Sequence, residues 1–600
     1  MSDWDVESSE PAEAWRLRPV ILAAIGAVAA ILVQQLIDRP YRYSGPPLEV
    51  WRIAVSIAIG TGAMAFGFGV ERVRLAWATG FALLAGAVAG LIYYWNGGTA
   101  GWADFGDWRY ASLFLAIAVA VPLFQTARDE GAWRFPYRDV HGHAWTNVVL
   151  WFACWAFVGI AFALAWLLAA LFNLIGLDFV EEMLERHWFA AGLAGAAFGG
   201  ALGLFRERDR IVRLLQRVVT AVLAVLAPVL GVGLVLFLVA LPFTGLGALW
   251  QATKATTPIL LSCAIGALIL ANAVIGNGEE EEATNPVLRW GAMALGLAIL
   301  PLCVIAAIAT GLRIGQYGFT PDRLWALIFV ILASAYGVAY LASLALGRNA
   351  WAARARPANL RMAFIIAGVA LFLATPILSF NAISTADQVT RLESGRTAPD
   401  KFDWAALAFD FGDPGKAALK RLAGSRNTII AARARSAVTK TDRWDVVRSD
   451  RVTKAADSLS TRMRVLPGAV SVPQGLRDLL IDYEACGDGS NRCTLLYAAG
   501  DSDAVVVNDT CIDRLTEDSR SRQQKAGSTA VIIAPVTGTS CPVTRYRQSG
   551  GKWAKVESIA PDAARRAALR QGLAAGAIEV RTVPRQQLFV GDVPVGDPFE

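Results

Sequence analysis

The chain is expected to fold as an α-helical polytopic membrane bundle of about 11 transmembrane helices, followed by a C-terminal soluble α+β domain. Three observations carry this expectation. The 600 residues are 55% hydrophobic with a mean hydropathy of +0.44, well above an ordinary soluble protein. The apolar excess lies mostly within residues 1–380, and from about Ser384 the chain reads as soluble. Within the first part, apolar runs of about 20 residues, the length that crosses a bilayer core, follow one another.

Taken in order, the candidate spans of the 19–380 bundle are 19–37, 50–70, 75–95, 108–125, 145–172, 187–205, 218–241, 257–275, 288–311, 324–347 and 361–380. The count is weakest around Phe243–Trp250, where Gly245 and Gly247 allow a short re-entrant turn. Residues 1–18 form a cytoplasmic N-terminal tail. Its acidic start, with Asp3, Asp5, Glu7, Glu10 and Glu13, differs from the basic start of a signal peptide, so an uncleaved first helix is expected.

Sidedness follows from Arg206-Glu207-Arg208-Asp209-Arg210-Ile211-Val212-Arg213-Leu214-Leu215-Gln216-Arg217. It carries five arginines between two apolar runs. An arginine at a bilayer centre costs roughly 2.5–3.5 kcal/mol on insertion scales, so this stretch stays out of lipid. With the N-terminus inside, the cytoplasmic loops hold 17 arginines and the opposite loops hold eight basic residues. That is the bias of the positive-inside rule. Glu279–Glu282 is an acidic exception on the inner side, and acidic residues weigh little in the rule. Eleven crossings then export the C-terminal region. The net charge of +6 follows the loops rather than one basic patch with interleaved aromatics, so no nucleic-acid partner is expected.

Small residues mark packing faces. Gly195, Gly199 and Gly203 recur every four residues, as do Gly86 and Gly90. Such spacing lets helices approach closely, within one bundle or across a homodimer seam. The middles of the spans carry no Asp, Glu, Lys, Arg or His, which disfavours a proton-coupled transporter. Gln34, Asn147, Asn173 and Asn272 are polar but lie near span ends.

Residues 384–465 read as a helical, membrane-proximal periplasmic region and 466–600 as a periplasmic α+β domain. Helices are expected at Lys416–Leu422, Thr428–Val438, Trp444–Met463 and Leu476–Tyr483, with Asp413-Pro414-Gly415 breaking the chain before the first. Strands are expected at Thr494–Ala498, Ala504–Val507, Thr529–Ala534, Val543–Tyr546 and Lys552–Ser558. Ser549-Gly550-Gly551 signals a hairpin. A helix at Pro561–Leu573 and strands at Ile578–Val583 and Gln587–Val590 close the domain. Cys154, Cys263 and Cys303 lie in spans, where a thiol behaves as a small apolar residue. Cys486, Cys493, Cys511 and Cys541 all lie in the soluble part. Sequence proximity favours Cys486–Cys493 and Cys511–Cys541 as disulfides. No CxxC spacing supports zinc; free thiols are the other alternative.

The chemistry is sparse. All three histidines, His141, His143 and His187, precede the soluble domain, which therefore supplies no Ser-His-Asp or Cys-His site of its own. Gly412-Asp413-Pro414-Gly415-Lys416-Ala417 departs from a P-loop in its glycine spacing and in Ala417. Asp139-Val140-His141-Gly142-His143 has an HxH spacing usable by a metal, against the plainer reading of a cytoplasmic loop at the membrane edge. Glu181, Glu182, Glu185 and His187 cluster near the outer mouth, as a solvated face or a site for a cation or acid–base chemistry. In Tyr317-Gly318-Phe319-Thr320-Pro321-Asp322-Arg323, Thr320 is placed to cap a helix that begins at Pro321. Tyr317, Asp322 and Arg323 are the functional candidates there. No cofactor or metal is expected.

Together with Phe135-Pro136-Tyr137 before the fifth span, and Ser379-Phe380-Asn381 leading into Phe402-Asp403-Trp404, that heptapeptide resembles a bacterial multi-pass membrane family known as domain of unknown function 4153. The resemblance covers roughly residues 15–425. It implies a multi-pass protein of the bacterial inner membrane, and it carries no catalytic residues with it. Three functions follow as expectations. One is an envelope binding or scaffolding protein whose exported module takes a partner protein or a lipid or glycan ligand. Another is a transporter or flippase for a lipid or small solute. The third is a membrane enzyme acting at the periplasmic mouth through Glu181, Glu185, Asp322 or Arg323. A polar pocket open on one side of the bundle favours a receptor or enzyme, a continuous polar path favours transport, and neither favours an anchor.

Overall fold

The computed structural model of the chain describes residues 15–38, 48–96, 108–252, 255–468, 470–483, 485–486, 492–508, 543–556, 586–590 and 593–599. The chain divides into two compact units, Met1–Asp387 and Gln388–Glu600. In the first, eleven helices are long and apolar enough to cross a membrane. They are α1 (Arg18–Ile37), α2 (Val50–Gly69), α3 (Leu75–Asn96), α4 (Trp108–Glu130), α5 (Tyr137–Asn173), α7 (His187–Arg206), α8 (Asp209–Ala252), α9 (Thr256–Ile275), α10 (Pro286–Tyr317), α11 (Pro321–Gly347) and α12 (Trp351–Ala374), with the short α6 (Phe179–Glu185) between α5 and α7. Helix α13 (Phe380–Glu393) follows.

Each expected apolar run is matched by one helix, but several helices overrun their apolar run. Helix α5 starts at Tyr137 behind Pro136, so the HxH residues occupy its first two turns and not a loop. Hydropathy reports where lipid is tolerated, whereas helical hydrogen bonding continues until a proline or a cap ends it. Helix α12 likewise begins at Trp351. The doubtful stretch around Gly245 is a bend: Gly245 adopts φ 73°, and helix resumes on its far side to Ala252. A positive φ there suits glycine alone.

Two hydrophobic clusters organise the bundle. One joins α1, α2, α4, α5 and α7 around Leu22, Phe124, Leu150 and Leu202. The other joins α8 to α12 around Leu295, Leu302, Tyr340 and Trp351. The glycine ladders are seams inside this single bundle. A methyl group at Gly195 would overlap the carbonyl of Gly26, and one at Gly199 that of Leu22, so α7 lies backbone-to-backbone on α1. Gly86 and Gly90 of α3 meet the carbonyls of Ala58 and Ala54 on α2 in the same way. Lipid gives no hydrophobic drive to such pairs, so close van der Waals packing holds them.

The second unit starts helical. A π turn at Ala406–Asp410 leads into α14 (Gly412–Leu422), α15 (Thr428–Val438) and α16 (Arg443–Arg462). Asp413 and Pro414 form the first turn of α14, where proline is tolerated because its missing N–H would be unpaired anyway. Asn427 and Asp442 cap α15 and α16 by accepting backbone N–H bonds. These helices pack around Phe402, Trp404, Leu407 and Leu422.

A five-stranded sheet follows, in the order β1 (Met463–Leu466), β2 (Cys493–Leu496), β3 (Asp503–Asn508), β4 (Val543–Ser549) and β5 (Lys552–Lys555). Strand β1 takes residues just beyond α16 and pairs in parallel with β2, with α17 (Gln474–Asp482) between them in the chain. The remaining pairs are antiparallel. Gly550 and Gly551, at φ 58° and 78°, make the two-residue turn of the expected hairpin. Cys486 and Cys493 form a disulfide with a Cα–Cα distance of 5.1 Å, in a core with Leu480, Leu495, Tyr546 and Trp553. Burial pushes the Tyr546 phenol up to about 12. Strands β6 (Gln586–Val590) and β7 (Val593–Phe599) form a separate hairpin. Cys511, Cys541, Thr529–Ala534, Pro561–Leu573 and Ile578–Val583 lie outside the described residues.

Candidate functional site

Four carbonyls at the end of α2 have no partner within the helix, and side chains from three neighbouring helices take them. Arg206, ending α7, donates to the carbonyls of Gly67 and Phe68 at 3.0 and 2.7 Å. Gln125 of α4 also donates to Phe68, at 2.7 Å. Arg128 donates to Gly69 at 2.6 Å, and Arg18, opening α1, donates to Val70 at 2.6 Å. Cationic donors suit a helix C-terminus, where the orphan carbonyls carry partial negative charge. Glu71 ties the cluster together, 2.7 Å from Arg18 and 2.6 Å from Arg206. Burial alone would raise the Glu71 carboxyl, but the charges of Arg206 and Arg18, a hydrogen bond from Arg18 and the charge of Arg128 hold it below its ordinary value.

The end of α9 is built alike. Gly276 leaves the helix at φ 58°. Arg356 of α12 then donates to the carbonyls of Ile275 and Gly278 at 2.7 and 3.0 Å and to Glu282 at 2.8 Å. The acidic run Glu279–Glu282 therefore has a structural use. Glu282 answers Arg356 and Arg289, and Glu280 answers Arg138 at the start of α5. These contacts place the starts of α1, α5 and α12 with the ends of α2, α4, α7 and α9, at one arginine-rich end of the bundle.

A cavity of about 960 Å³ opens between these helices, walled by α4, α5, α8, α9 and the loop after α9. Its wall runs down α5 as far as Leu150 and down α8 as far as Val225. Asn147 lies ten residues into α5, about 15 Å from its start at 1.5 Å per residue, but the first eight residues of α5 precede the apolar run that begins near 145, so Asn147 sits close to the arginine-rich edge of the span. Gln125 and Asn147 exchange hydrogen bonds of 3.1 and 2.7 Å, and Thr146 donates to Gln216 at 3.3 Å. Behind Asn272, Asn359 donates to Asn272 at 2.6 Å and to the Tyr137 hydroxyl at 3.4 Å. An amide pair in a helical bundle is costly to desolvate unless each group finds a partner, as Gln125 and Asn147 find in each other.

The HxH residues both line the cavity but do different things. His143 Nε2 meets Asp129 at 3.0 Å, whereas His141 Nε2 accepts the indole N–H of Trp145 at 3.1 Å. Among the described residues, no group of three or more His, Cys, Asp or Glu side chains is placed to hold a metal ion.

The other sequence candidates lie at two separate places, α6 with the start of α7 and the α10–α11 corner. Glu181 and Glu185 are on α6, which packs against α5 and α7, and Glu181 accepts from the Asn173 amide. Glu185 and His187 are exposed. Tyr317 and Arg323 are brought together at the α10–α11 corner. Arg323 donates to the carbonyls of Tyr317 and Gly318 at 3.2 and 2.8 Å and stands over the Tyr317 ring at 5.4 Å. Thr320 caps α11 by accepting from the Arg323 N–H, and Asp387 accepts from the Phe319 N–H at 2.7 Å. Asp322 is exposed in the first turn of α11. The corner is thus a self-bracing helix joint. Gln125, Gln216 and Asn359 are residues of the cavity region that a linear reading misses, and Asn147 and Asn272 are noticed there only as polar residues near span ends. Their signal is a set of amides near span ends.

No curated protein and no solved structure matches the chain. A family model described as domain of unknown function (DUF4153) matches residues 53–422, a stretch that runs from within α2 to the end of α14 and takes in the whole cavity wall. Since that match spans more than half of its residues, the chain belongs to this family.

Proposed function

We propose that the chain is a ligand-binding protein of the bacterial inner membrane, with its site in the cavity at the arginine-rich end of the bundle. The observation that carries this is a wall of amides, hydroxyls and paired charges that runs into the bundle from its arginine-rich end. An anchor has no use for buried polar groups, which are costly in lipid and mark functional sites by default. The excess of arginines at that end supports a cytoplasmic mouth. The second unit then lies in the periplasm, as its disulfide favours, and serves as a module for an envelope partner.

The test fills the cavity. Asn147→Leu with Thr220→Trp removes two polar wall groups and narrows the cavity beside them. Native mass spectrometry of protein released from membrane nanodiscs should show a bound small molecule or lipid on the unsubstituted chain and its loss from the filled variant. Identical adducts on both would sink the reading. A second reading, a transporter or flippase for a lipid or small solute, draws on the same cavity, because a cavity open at one end of the bundle is also one state of alternating access.

A further inference from the structure

We infer that the start of the second unit carries a docking surface for an anionic phospholipid bilayer, made of exposed cationic and apolar side chains of α14, α15 and the first turn of α16; it stands whatever the cavity of the bundle binds. Residues 416–440 contain seven lysines and arginines and no aspartate or glutamate. Their helices bury Leu419, Leu422, Ile430 and Ala434 in the local core, which turns the long cationic side chains outward. Lys416 and Lys420 stand one turn apart on α14, and Arg426 and Lys440 flank α15; all four are exposed. Arg421 meets Glu393 at 3.5 Å, and Arg435 donates to the Ala423 carbonyl at 3.0 Å. Lys416, Lys420, Arg426 and Lys440, by contrast, are paired with no carboxylate among the described residues, so their charge is free to meet an external anion.

Apolar groups are interspersed with these charges. Ile429 is 60% exposed, Val438 41% and Trp444 70%. Scattered singly, such residues mean little; here three fall within residues 429–444 and alternate with Arg435 and Lys440. Ile429 also lines a cleft of about 420 Å³ between α15 and α16, with Trp404, Ala432 and Val446, which gives the apolar part depth. A bilayer of anionic lipid answers both features. Each Lys or Arg near its head groups gains about fivefold in affinity, aliphatic groups enter the acyl boundary, and tryptophan favours that depth. An acidic protein segment would answer the charges as well, and the tether decides against it. Residues 375–415 alone separate Ala374, the end of the last spanning helix, from Lys416. The surface is therefore always within reach of a bilayer, and its contact with lipid is intramolecular, at high effective concentration.

The experiment uses full-length protein in nanodiscs of phosphatidylcholine alone or of phosphatidylcholine mixed with phosphatidylglycerol. It reads amide hydrogen exchange over residues 416–444 by mass spectrometry. Phosphatidylglycerol should slow exchange there about fivefold or more, leave β2 to β5 unchanged, and lose its effect at high salt. Lys416→Glu with Lys420→Glu, and separately Ile429→Ser, should each remove most of the slowing; all three residues are exposed, so the fold tolerates these changes. Equal exchange in the two kinds of disc overturns the inference. So does equal slowing by soluble polyglutamate in phosphatidylcholine discs, which identifies an acidic protein segment as the occupant. Slowing by phosphatidylglycerol that persists in both variants overturns the assignment of the surface.

Discussion

Replacing Arg206 by Gln separates two accounts of the arginines at this end. If they act only as sidedness signals, each counts once, and removing any of them has the same small effect. The structure gives Arg206 a specific structural role. It caps the carbonyls of Gly67 and Phe68 and pairs with Glu71, with its side chain only 10% exposed. Gln125 still reaches Phe68 and Arg18 still reaches Glu71 in the variant, so the Gly67 carbonyl and one half of the carboxylate pairing are what is lost. An orphaned buried acceptor costs about 1–3 kcal/mol, and a hydrogen bond to a charged group contributes about 1.5–3 kcal/mol. Allowing for water at the bundle end, the sum is about 2–4 kcal/mol. Arg16→Gln removes the same charge from the same end, but Arg16 is exposed, and its loss should cost under about 0.5 kcal/mol. Thermal unfolding in detergent, followed by tryptophan fluorescence, measures both. Arg206→Gln should lower the midpoint by several degrees and Arg16→Gln by less than about one degree. Arg206→Lys should fall between them, because a single ammonium cannot reproduce the guanidinium fork. Equal shifts for Arg206→Gln and Arg16→Gln would refute the capping argument.

Gly199→Ala should destabilise the bundle by about 1–3 kcal/mol, because the added methyl meets the Leu22 backbone rather than a flexible side chain; Gly159→Ala, which meets nothing, serves as the control in the same unfolding assay. The Glu71 carboxyl is held below its ordinary value, so its stabilising contribution is complete above the unfolded carboxyl value of about 4.3 and is lost as pH falls through the lower folded value. The unfolding midpoint should therefore drop further between neutral pH and pH 3 in the unsubstituted chain than in Glu71→Gln, and parallel curves would contradict this. Cys493→Ser should lower the stability of the second unit by about 2–3 kcal/mol, the chain-entropy value for so short a loop, and a reductant should reproduce that loss in the unsubstituted chain but not in the variant.

The bundle is legible in the sequence because each span must satisfy its backbone within about 20 apolar residues, and that demand leaves a continuous hydropathy signal. The glycine ladder of α7 is equally legible, although only the structure names α1 as its partner. The site is not legible. Arg206 and Gly67 are 139 positions apart, and Arg18 and Glu71 are 53 apart; a charge count records the sign of an arginine but not the carbonyl it caps. Asn147 and Asn272 read as residues at span edges, which they are, but the sequence does not show that α4, α5, α8 and α9 gather them with Gln125 and Gln216 around one cavity. In the second unit, β2 to β5 follow from alternation and the paired glycines. Strand β1 reads as the end of a helix because Met463 continues the apolar period of α16, and β7 escapes notice because Pro594, Gly596 and Pro598 suppress strand propensity.

The claim on which the rest depends is a water-filled polar cavity entered from the arginine-rich end. Thr220→Cys and Asn147→Cys place a thiol in its wall, and labelling by a membrane-impermeant maleimide, read above the background of the unsubstituted chain, tests it. The account predicts labelling of both positions in inverted inner-membrane vesicles and not in right-side-out ones. Labelling from the opposite face, or none from either, would contradict it.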